Sequence, residues 1–250
     1  MKVVTVIQRK GGNGKSTATA NLAHAFAAFF GKRVLVIDAD DQRNTSSTIP
    51  TRRPIAKTVE SLLVEDETWV EDVAERTLWE GVDLIAGDAG LSSAIAELEG
   101  HMLLRPKLQA AEGYDLCLID TSPSLNIVTV NAMCASDGLF IPLVSSYFSL
   151  QGLAQTMDSY RKIRNTLNHE LEVYGIAFVH HFRRTRLAGE VREKVKEQFP
   201  ELLCETVITQ NVAIELAQVR RQSIFSYAPN DRGAVQYRAL AGELAIRMKL

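Results

Sequence analysis

The sequence predicts an α/β fold in which a mostly parallel sheet is covered by helices on both faces. Short runs of Val, Ile and Leu alternate with longer stretches of helical periodicity along the 250 residues. The runs are continuously apolar, which is typical of parallel strands that are buried on both faces. No internal repeat and no Pro-, Gly- or Ser-rich linker interrupts the pattern. We therefore expect one domain that spans residues 1–250.

Each element follows from its local pattern. Strands are predicted where β-branched, apolar runs lie between turn residues, and these are Val3–Ile7, Val34–Ile37, Val82–Ile85, Leu116–Ile119, Leu139–Leu143, Tyr174–Val179 and Val207–Ile208. Helices are predicted where apolar residues recur every three or four positions, and these are Thr17–Phe30, Ser92–Ala111, Ile127–Ala135, Leu150–Leu167 and Ala188–Phe199. The same spacing in Tyr237, Leu240, Leu244 and Met248 predicts a last helix that is docked on the core.

Charge is unevenly distributed along the chain. The formal net charge of −2 gives no whole-chain sign of nucleic-acid binding, but it divides into −6 for residues 1–150 and +4 for residues 151–250. Two explanations stay open at this point. The asymmetry is either ordinary scatter over a solvated surface or a basic face in the C-terminal part.

Composition and cysteine usage are typical of a cytoplasmic protein. No basic-plus-apolar segment precedes the first strand, so we expect no secretory signal. The longest apolar runs are too short to span a bilayer. Cys117, Cys134 and Cys204 lie in apolar contexts without metal-ligand spacing, which favours reduced core cysteines.

A glycine-rich segment follows the first predicted strand and precedes the first predicted helix. Its glycines allow the backbone to wrap tightly, so that N–H groups point at phosphate oxygens, and the helix N-terminus adds a favourable dipole. In such a loop Lys15 reaches the β- and γ-phosphates and the Ser16 hydroxyl ligates Mg²⁺. The predicted ATP-binding residues are Lys10, Gly11, Gly12, Asn13, Gly14, Lys15, Ser16 and Thr17.

Carboxylates follow two other predicted strands. Asp38 and Asp40 end the strand that begins at Val34, and Asp120 ends the strand that begins at Leu116. Acids at the carboxyl ends of strands near a phosphate loop can hold Mg²⁺-bound water or orient an attacking water. Alone, the Asp38/Asp40 pair is also compatible with ordinary loop or helix-capping acids.

Three motifs together resemble those of the ParA/MinD superfamily. Arg9 replaces the first glycine of the standard Walker A pattern and Lys10 follows it, which resembles the deviant Walker A motif of that group. Asp38–Gln42 is similar to the family's Asp-x-Asp-Pro-Gln, with Asp41 in place of Pro. Asp120–Leu125 is similar to Asp-x-Pro-Pro-Ser-Leu, with Ser122 in place of the first Pro.

The resemblance covers nearly the whole chain. It continues through Val130–Pro142, Tyr147–Ala154 and Ile224–Glu243. Within the superfamily it points to ParA-type partition ATPases of the short class, which lack an N-terminal helix-turn-helix domain. It implies a P-loop NTPase fold and slow ATP hydrolysis that depends on Mg²⁺.

The resemblance also implies roles for individual residues. Lys10 reaches across a nucleotide-sandwich homodimer to the phosphates of the partner, and Lys10, Lys15 and Asp40 are the expected catalytic residues. Asp40 positions the hydrolytic water, and Ser16, Asp38 and Asp120 organise Mg²⁺. Asn211 matches a family position near the adenine.

Partners follow from the same resemblance. Short ParA proteins bind DNA non-specifically as ATP-bound dimers on the nucleoid, and a ParB-like protein stimulates hydrolysis during plasmid or chromosome partition. Non-specific DNA binding requires a basic surface, for which the candidates are Arg183, Arg184, Arg186, Arg220 and Arg221. The alternative is a solvated arginine-rich loop with acidic partners four residues away.

Three other functions compete with this interpretation. A MinD-like positioning ATPase carries an amphipathic C-terminal tail that lies on the membrane, and we expect no stable membrane association here because the last helix is predicted to dock on the core. A redox ATPase like nitrogenase iron protein needs a pair of cluster cysteines, whereas Cys117 lies within a predicted strand. A nucleotide-gated scaffold would hydrolyse negligible ATP, which the Asp38/Asp40 pair argues against.

Overall fold

A parallel sheet organises the molecule. The computed structural model describes residues 1–91, 100, 102–180 and 186–250. Within these residues the strands are β1 (Lys2–Val6), β2 (Val34–Ala39), β3 (Glu75–Arg76), β4 (Val82–Ile85), β5 (Leu116–Thr121), β6 (Gly138–Leu143) and β7 (Glu172–Phe178). They form one sheet in the order β3-β4-β2-β5-β1-β6-β7. Each neighbouring pair is parallel except β3 with β4, which is antiparallel.

Helices connect the strands and cover the sheet. In the part of the chain that the structure describes they are α1 (Lys15–Phe30), α2 (Asn44–Thr48), α3 (Val59–Val64), α4 (Val70–Val73), α5 (Leu104–Ala110), α6 (Ile127–Ala135), α7 (Tyr147–Thr166), α8 (Arg186–Gln198), α9 (Val212–Val219), α10 (Ile224–Tyr227) and α11 (Arg232–Met248).

The core lies on both faces of the sheet. Val34 and Val36 of β2 pack with residues of α1 and α11 on one face. The alternate residues Leu35 and Ile37 pack with α3, α4, α5 and α6 on the other face. Successive side chains of a strand point to opposite faces, so the part of β2 that is covered on both sides, Val34–Ile37, is apolar at every position, as the sequence predicts.

The structure confirms the predicted fold class and corrects several elements. Val207–Ile208 is not a strand, because it makes only isolated contacts, such as the Ile208 N–H to the Phe178 carbonyl at 2.8 Å. The short strand β3 was not predicted, nor were the helices α2, α3, α4, α9 and α10. Of the predicted helix Ser92–Ala111, residues 92–99 and 101 lie outside the described residues, and α5 forms its last part.

The last helix is docked as predicted. Tyr237, Leu240, Leu244 and Met248 are buried and belong to the cluster that contains α1. None of the helices within the described ranges combines the length and the apolar character needed to cross a membrane.

Candidate nucleotide-binding site

The glycine-rich loop lies at the middle of the sheet's carboxyl edge. It follows β1, which pairs with β5 on one side and β6 on the other. Ligands of open α/β sheets bind beyond the carboxyl ends of the strands, where neighbouring connections leave to opposite sides. The loop ends at Lys15, where α1 begins.

Two glycines give the loop its curvature. Gly12 and Gly14 have φ of 76° and 70°, in the left-handed region that favours glycine. A Cβ on Gly14 would also lie 3.2 Å from Val179 Cγ2. Helix α1 begins directly after Gly14, and the first N–H groups of a helix have no partner within it, as an anion site requires.

Other loop residues fasten it to the scaffold. Asn13 is buried; its Nδ2 donates to the Lys10 carbonyl at 3.0 Å, and its Oδ1 accepts from the Val144 N–H at 2.9 Å. Arg9 points away from the loop, where its Nη1 donates to the Ser159 hydroxyl on α7 at 3.1 Å. Arg9, which replaces the usual glycine of the Walker A pattern, thus anchors the loop to α7.

Helix α7 comes close to the backbone before the loop. A Cβ on Gly152 would lie 2.8 Å from Gln8 Oε1 and 2.8 Å from Lys10 Cβ. The Thr156 hydroxyl accepts from the Arg9 N–H at 3.1 Å. Glycine at position 152 is therefore needed for this approach.

A cavity of about 380 Å³ opens in front of the loop. Lys15 lies in its wall and is only 6% exposed. Burial lowers the pKa of the Lys15 ammonium, while the charges of Asp120 and Asp40 oppose that shift. The lining residues are Gly11, Gly12, Asn13, Gly14, Lys15, Ser16, Thr17, Asp40, Gln42, Asn44, Pro123 and Gln218.

Two acids stand side by side behind the cavity. Asp38 of β2 and Asp120 of β5 are register partners on neighbouring strands, and both are fully buried. Burial raises the pKa of each carboxyl, and the charge of Asp38 adds to the rise at Asp120. Such a pair favours a bound cation, since a cation offsets both the desolvation and the mutual repulsion.

One oxygen of Asp120 has no partner within the described structure. Oδ2 accepts the Thr45 hydroxyl at 2.7 Å, whereas Oδ1 is buried without a hydrogen bond. The nearby Ser16 hydroxyl opposes the rise in the pKa of this carboxyl. A carboxylate and a hydroxyl are ligands that suit Mg²⁺ or its bound water, so the residues present fit a magnesium ion.

Asp40 lies at the rim of the cavity. It is 5% exposed, and its Oδ1 accepts from the Gln42 N–H at 3.1 Å. The turn continues through Arg43, whose φ of 53° is left-handed. Asp40, which follows β2, and Lys15, which begins α1, thus line the same cavity.

Lys10 is exposed at the edge of the site. Its Nζ lies 5.6 Å from the centre of the Phe148 ring at the start of α7. Phe148 and its neighbour Tyr147 are themselves 63% and 57% exposed. The Lys10 ammonium is therefore directed outward, beside an exposed aromatic pair.

Asn211 has a different setting. It is the N-cap of α9, where its Oδ1 accepts from the Ala213 N–H at 2.9 Å, and its Nδ2 donates to Asp231 at the start of α11. It is not among the residues that line the cavity; Gln218 of the same helix is. The contact of Asn211 with adenine stays a prediction.

The structure describes three of the five candidate DNA-binding arginines. Arg183 and Arg184 lie outside the described residues. Arg186 begins α8 and pairs with Glu190 at 2.9 Å, as the solvated-surface alternative anticipates. Arg220 stacks on the Tyr227 ring at 5.7 Å, and Arg221 lines a second cavity of about 600 Å³.

The cysteines are placed as predicted. Cys117, Cys134 and Cys204 are free and buried. Burial raises the pKa of each thiol, so these groups are unreactive core residues.

Sheet order, loop and acid pair together define a P-loop nucleotide-binding protein. Comparison with known proteins agrees. Residues 1–173 match the family model described as "AAA domain". The chain is 37% identical over 254 residues to the chromosome partitioning protein ParA of Caulobacter vibrioides, covering 99% of this chain and 95% of that protein. It is 35% identical over 250 residues to the sporulation initiation inhibitor protein Soj of Bacillus subtilis, covering 98% of each.

The chain therefore belongs to the ParA family of ATPases. The fold is shared more widely. Cobyrinic acid a,c-diamide synthase from Mycobacterium smegmatis, solved with a bound ATP analog and magnesium, superimposes with a TM-score of 0.83 at 23% identity, over 100% of this chain and 96% of that one.

Proposed function

We propose that this chain is a ParA-type ATPase that binds ATP with Mg²⁺, dimerises on ATP and binds DNA without sequence preference. Residues 1–250 would act as one ATPase domain. The observation that carries the proposal is the buried Lys15 ammonium, which lies where the left-handed glycine loop meets the start of α1. A buried ammonium whose pKa is affected by two nearby carboxylates is suited to bind a triphosphate, and the carboxylates are suited to bind the metal that accompanies it.

The metal belongs beside the acid pair. Ser16, Asp38 and Asp120 would hold Mg²⁺, which when bound neutralises negative charge on the phosphates. The unpartnered Asp120 Oδ1 supports this assignment. The loop from Lys10 to Thr17 binds the phosphates, and Lys15 balances their charge. Asp40, at the cavity rim, orients the water that attacks the γ-phosphate.

Dimerisation would complete the site. Lys10 is exposed and directed outward, so its ammonium is available to phosphates held by a second copy. Loss of that contact after hydrolysis would return the protein to the monomer. We propose that basal turnover is slow and that a ParB-like activator accelerates it.

DNA would be the surface on which the dimer acts. Arg220 and Arg221 are exposed next to the nucleotide cavity's helix α9, and cations of this kind neutralise backbone phosphates. The protein would then be cytoplasmic and nucleoid-associated, moving a plasmid, a chromosome or another cargo.

The test is cosedimentation of the protein with DNA and, separately, with anionic liposomes, each with ATP, with ADP and without nucleotide. We expect the protein to be retained on DNA with ATP, but not with ADP or without nucleotide. We expect no retention on liposomes in any of the three nucleotide conditions. Retention on liposomes would instead favour the MinD-like function. A Lys10→Ala variant is the matched control: it should still bind ATP and fail to dimerise or to sediment with DNA.

A further inference from the structure

Two adjacent hydroxyl groups on the short helix α2 reach two different carboxylates. The Thr45 hydroxyl donates to Asp120 Oδ2 at 2.7 Å, and the Ser46 hydroxyl donates to Asp38 Oδ2 at 2.6 Å. The Ser46 backbone N–H donates to the same Asp38 oxygen at 2.7 Å. Helix α2 therefore touches both members of the buried acid pair.

The Ser46 hydroxyl joins a third segment to this arrangement. It accepts from the Gly87 N–H at 2.9 Å, just after β4. A Cβ on Gly87 would lie 3.1 Å from Asp38 Cγ and 3.0 Å from the Asp38 carbonyl oxygen. The segments that follow β2 and β4 are thus held together around one serine side chain.

A third hydroxyl of the same helix behaves differently. The Thr48 hydroxyl donates to the Asn44 carbonyl at 2.9 Å, within α2 itself. Thr48 is 4% exposed, so it is buried like Thr45 but contacts neither acid through this bond. Removal of the Thr48 hydroxyl is therefore a matched control for the general effect of losing a buried hydroxyl from α2.

We infer that Thr45 and Ser46 are positioning residues that fix the carboxylates of Asp120 and Asp38 for Mg²⁺. This inference rests on the proposed function, in which those acids organise the metal. Asp38 is held through both oxygens, since its Oδ1 also accepts from the Asp40 N–H at 3.3 Å. Asp120 is held through Oδ2, and a carboxylate held through one oxygen presents its other oxygen in a defined direction. At Asp120 the oxygen left over is the buried, unpartnered Oδ1.

Helix α2 also follows the turn that carries Asp40 without an intervening loop. The backbone passes from Asp40 through Arg43 directly into Asn44, the first residue of α2. The same two hydroxyls consequently tie the metal-binding acids to the segment that orients the attacking water. Their loss should affect the metal more than the nucleotide, because neither hydroxyl lines the phosphate cavity.

The test is a titration of fluorescently labelled ADP into the protein in EDTA and at increasing Mg²⁺. Thr45→Val removes the hydroxyl at nearly constant shape. We expect the Mg²⁺ concentration for half-maximal enhancement of ADP binding to rise about 10-fold or more, as is usual when the hydrogen-bond partner of a metal ligand is lost. ADP affinity in EDTA should stay unchanged, and Thr45→Ser should restore the wild-type Mg²⁺ dependence.

Ser46→Ala supplies an independent second variant at a half-buried position, with Ser46→Thr as its rescue. Thr48→Val is the control and should retain the wild-type Mg²⁺ dependence. Melting temperatures of all variants establish that each is folded.

The outcomes separate the two proposals. If wild-type protein shows Mg²⁺-enhanced ADP binding and folded Thr45→Val and Ser46→Ala match it, the positioning role is wrong and the proposed function stands. An equal shift in Thr48→Val would also overturn the positioning role, because it would show general weakening of α2. Wild-type protein that binds no ADP, or binds it without regard to Mg²⁺, would overturn the proposed function and the inference with it.

Discussion

The nucleotide cavity and the candidate DNA surface differ in what holds their side chains. Behind the cavity, Asp120 is buried and bonded to Thr45, 75 residues away in sequence. On the surface, Arg186 pairs with Glu190 in its own helix, and Arg220 stacks on nearby Tyr227. Long-range bonds fix a geometry before any ligand arrives, whereas exposed local pairs contribute little and rearrange easily. Chemistry therefore requires the first kind of region, and contact with a DNA backbone of any sequence tolerates the second.

The largest effect is expected from the cavity rim. Asp40→Ala should lower ATP turnover by about 100-fold or more, since a positioned base or water-orienting group contributes on that scale. ATP binding should persist, so the variant should accumulate as an ATP-bound dimer. Steady-state phosphate release and light scattering measure the two effects. Wild-type turnover in this variant would remove Asp40 from the mechanism.

On the candidate DNA surface, reversing the charge of the arginines should weaken binding to DNA of any sequence and change its dependence on salt. Replacing Arg220 and Arg221 with Glu should weaken ATP-dependent DNA retention and reduce the slope of log affinity against log salt by about 2. ATP turnover without DNA should not change. The same charge reversal at Arg161 and Arg164, on α7, is the control. Equal losses in both variants would show a general charge effect and place the DNA contact elsewhere.

Packing around the loop should be far less tolerant than packing on the outer helices. Gly152→Ala places a Cβ 2.8 Å from Lys10 Cβ, and overpacking of this kind costs about 1–3 kcal/mol of stability. Gly189→Ala is the matched control on α8, where a Cβ meets nothing within 4 Å, and it should stabilise the helix by up to about 1 kcal/mol. Urea unfolding measures both. A neutral Gly152→Ala would contradict the close approach of α7.

Outside both regions, we expect a pH dependence of stability at His24. The ring stacks on Trp79 at 5.0 Å and bonds the Ser223 hydroxyl at 2.6 Å. Burial lowers the pKa of His24 in the folded protein to about 4, whereas in the unfolded chain it keeps its ordinary value of about 6.5. Between these two pH values the unfolded chain therefore binds a proton that the folded protein does not. Stability is therefore lost as the pH falls from about 6.5 towards 4, by roughly 1–3 kcal/mol for a partly accessible group. Unfolding free energies of wild type and His24→Gln at pH 7 and 4.5 measure it, and parallel pH profiles would rule it out.

The sequence predicted the elements that are encoded by a continuous apolar run or by a short local motif. The buried strands β2, β4, β5 and β6 are mostly apolar, so they were found with small errors or none at their ends. The sequence placed the glycine loop after β1 and the three acids at or just after the ends of β2 and β5, because each follows an apolar run; their roles in the site stay predictions. The two-residue strand β3 was missed because a short polar segment carries no periodicity.

The rest depends on tertiary contacts. Val207–Ile208 has the composition of a strand, yet only isolated bonds join it to β7, so no ladder forms. The roles of Thr45, Ser46 and Gly87 follow from segments brought together only by the fold. Asn13 was assigned to the phosphate loop, but its side-chain bonds that tie the loop to Val144 have no signature in the local pattern.

ATP binding by Lys15 and its glycine loop is the first step of the proposed function. The most direct test is calorimetric titration of ATP with Mg²⁺ into wild-type protein and into Lys15→Ala, with melting temperatures to show that both are folded. We expect saturable binding to the wild type and at least about a 100-fold loss of affinity in the variant, the scale expected when a buried charged partner is removed. Unchanged ATP affinity in folded Lys15→Ala would contradict a role of this lysine in ATP binding.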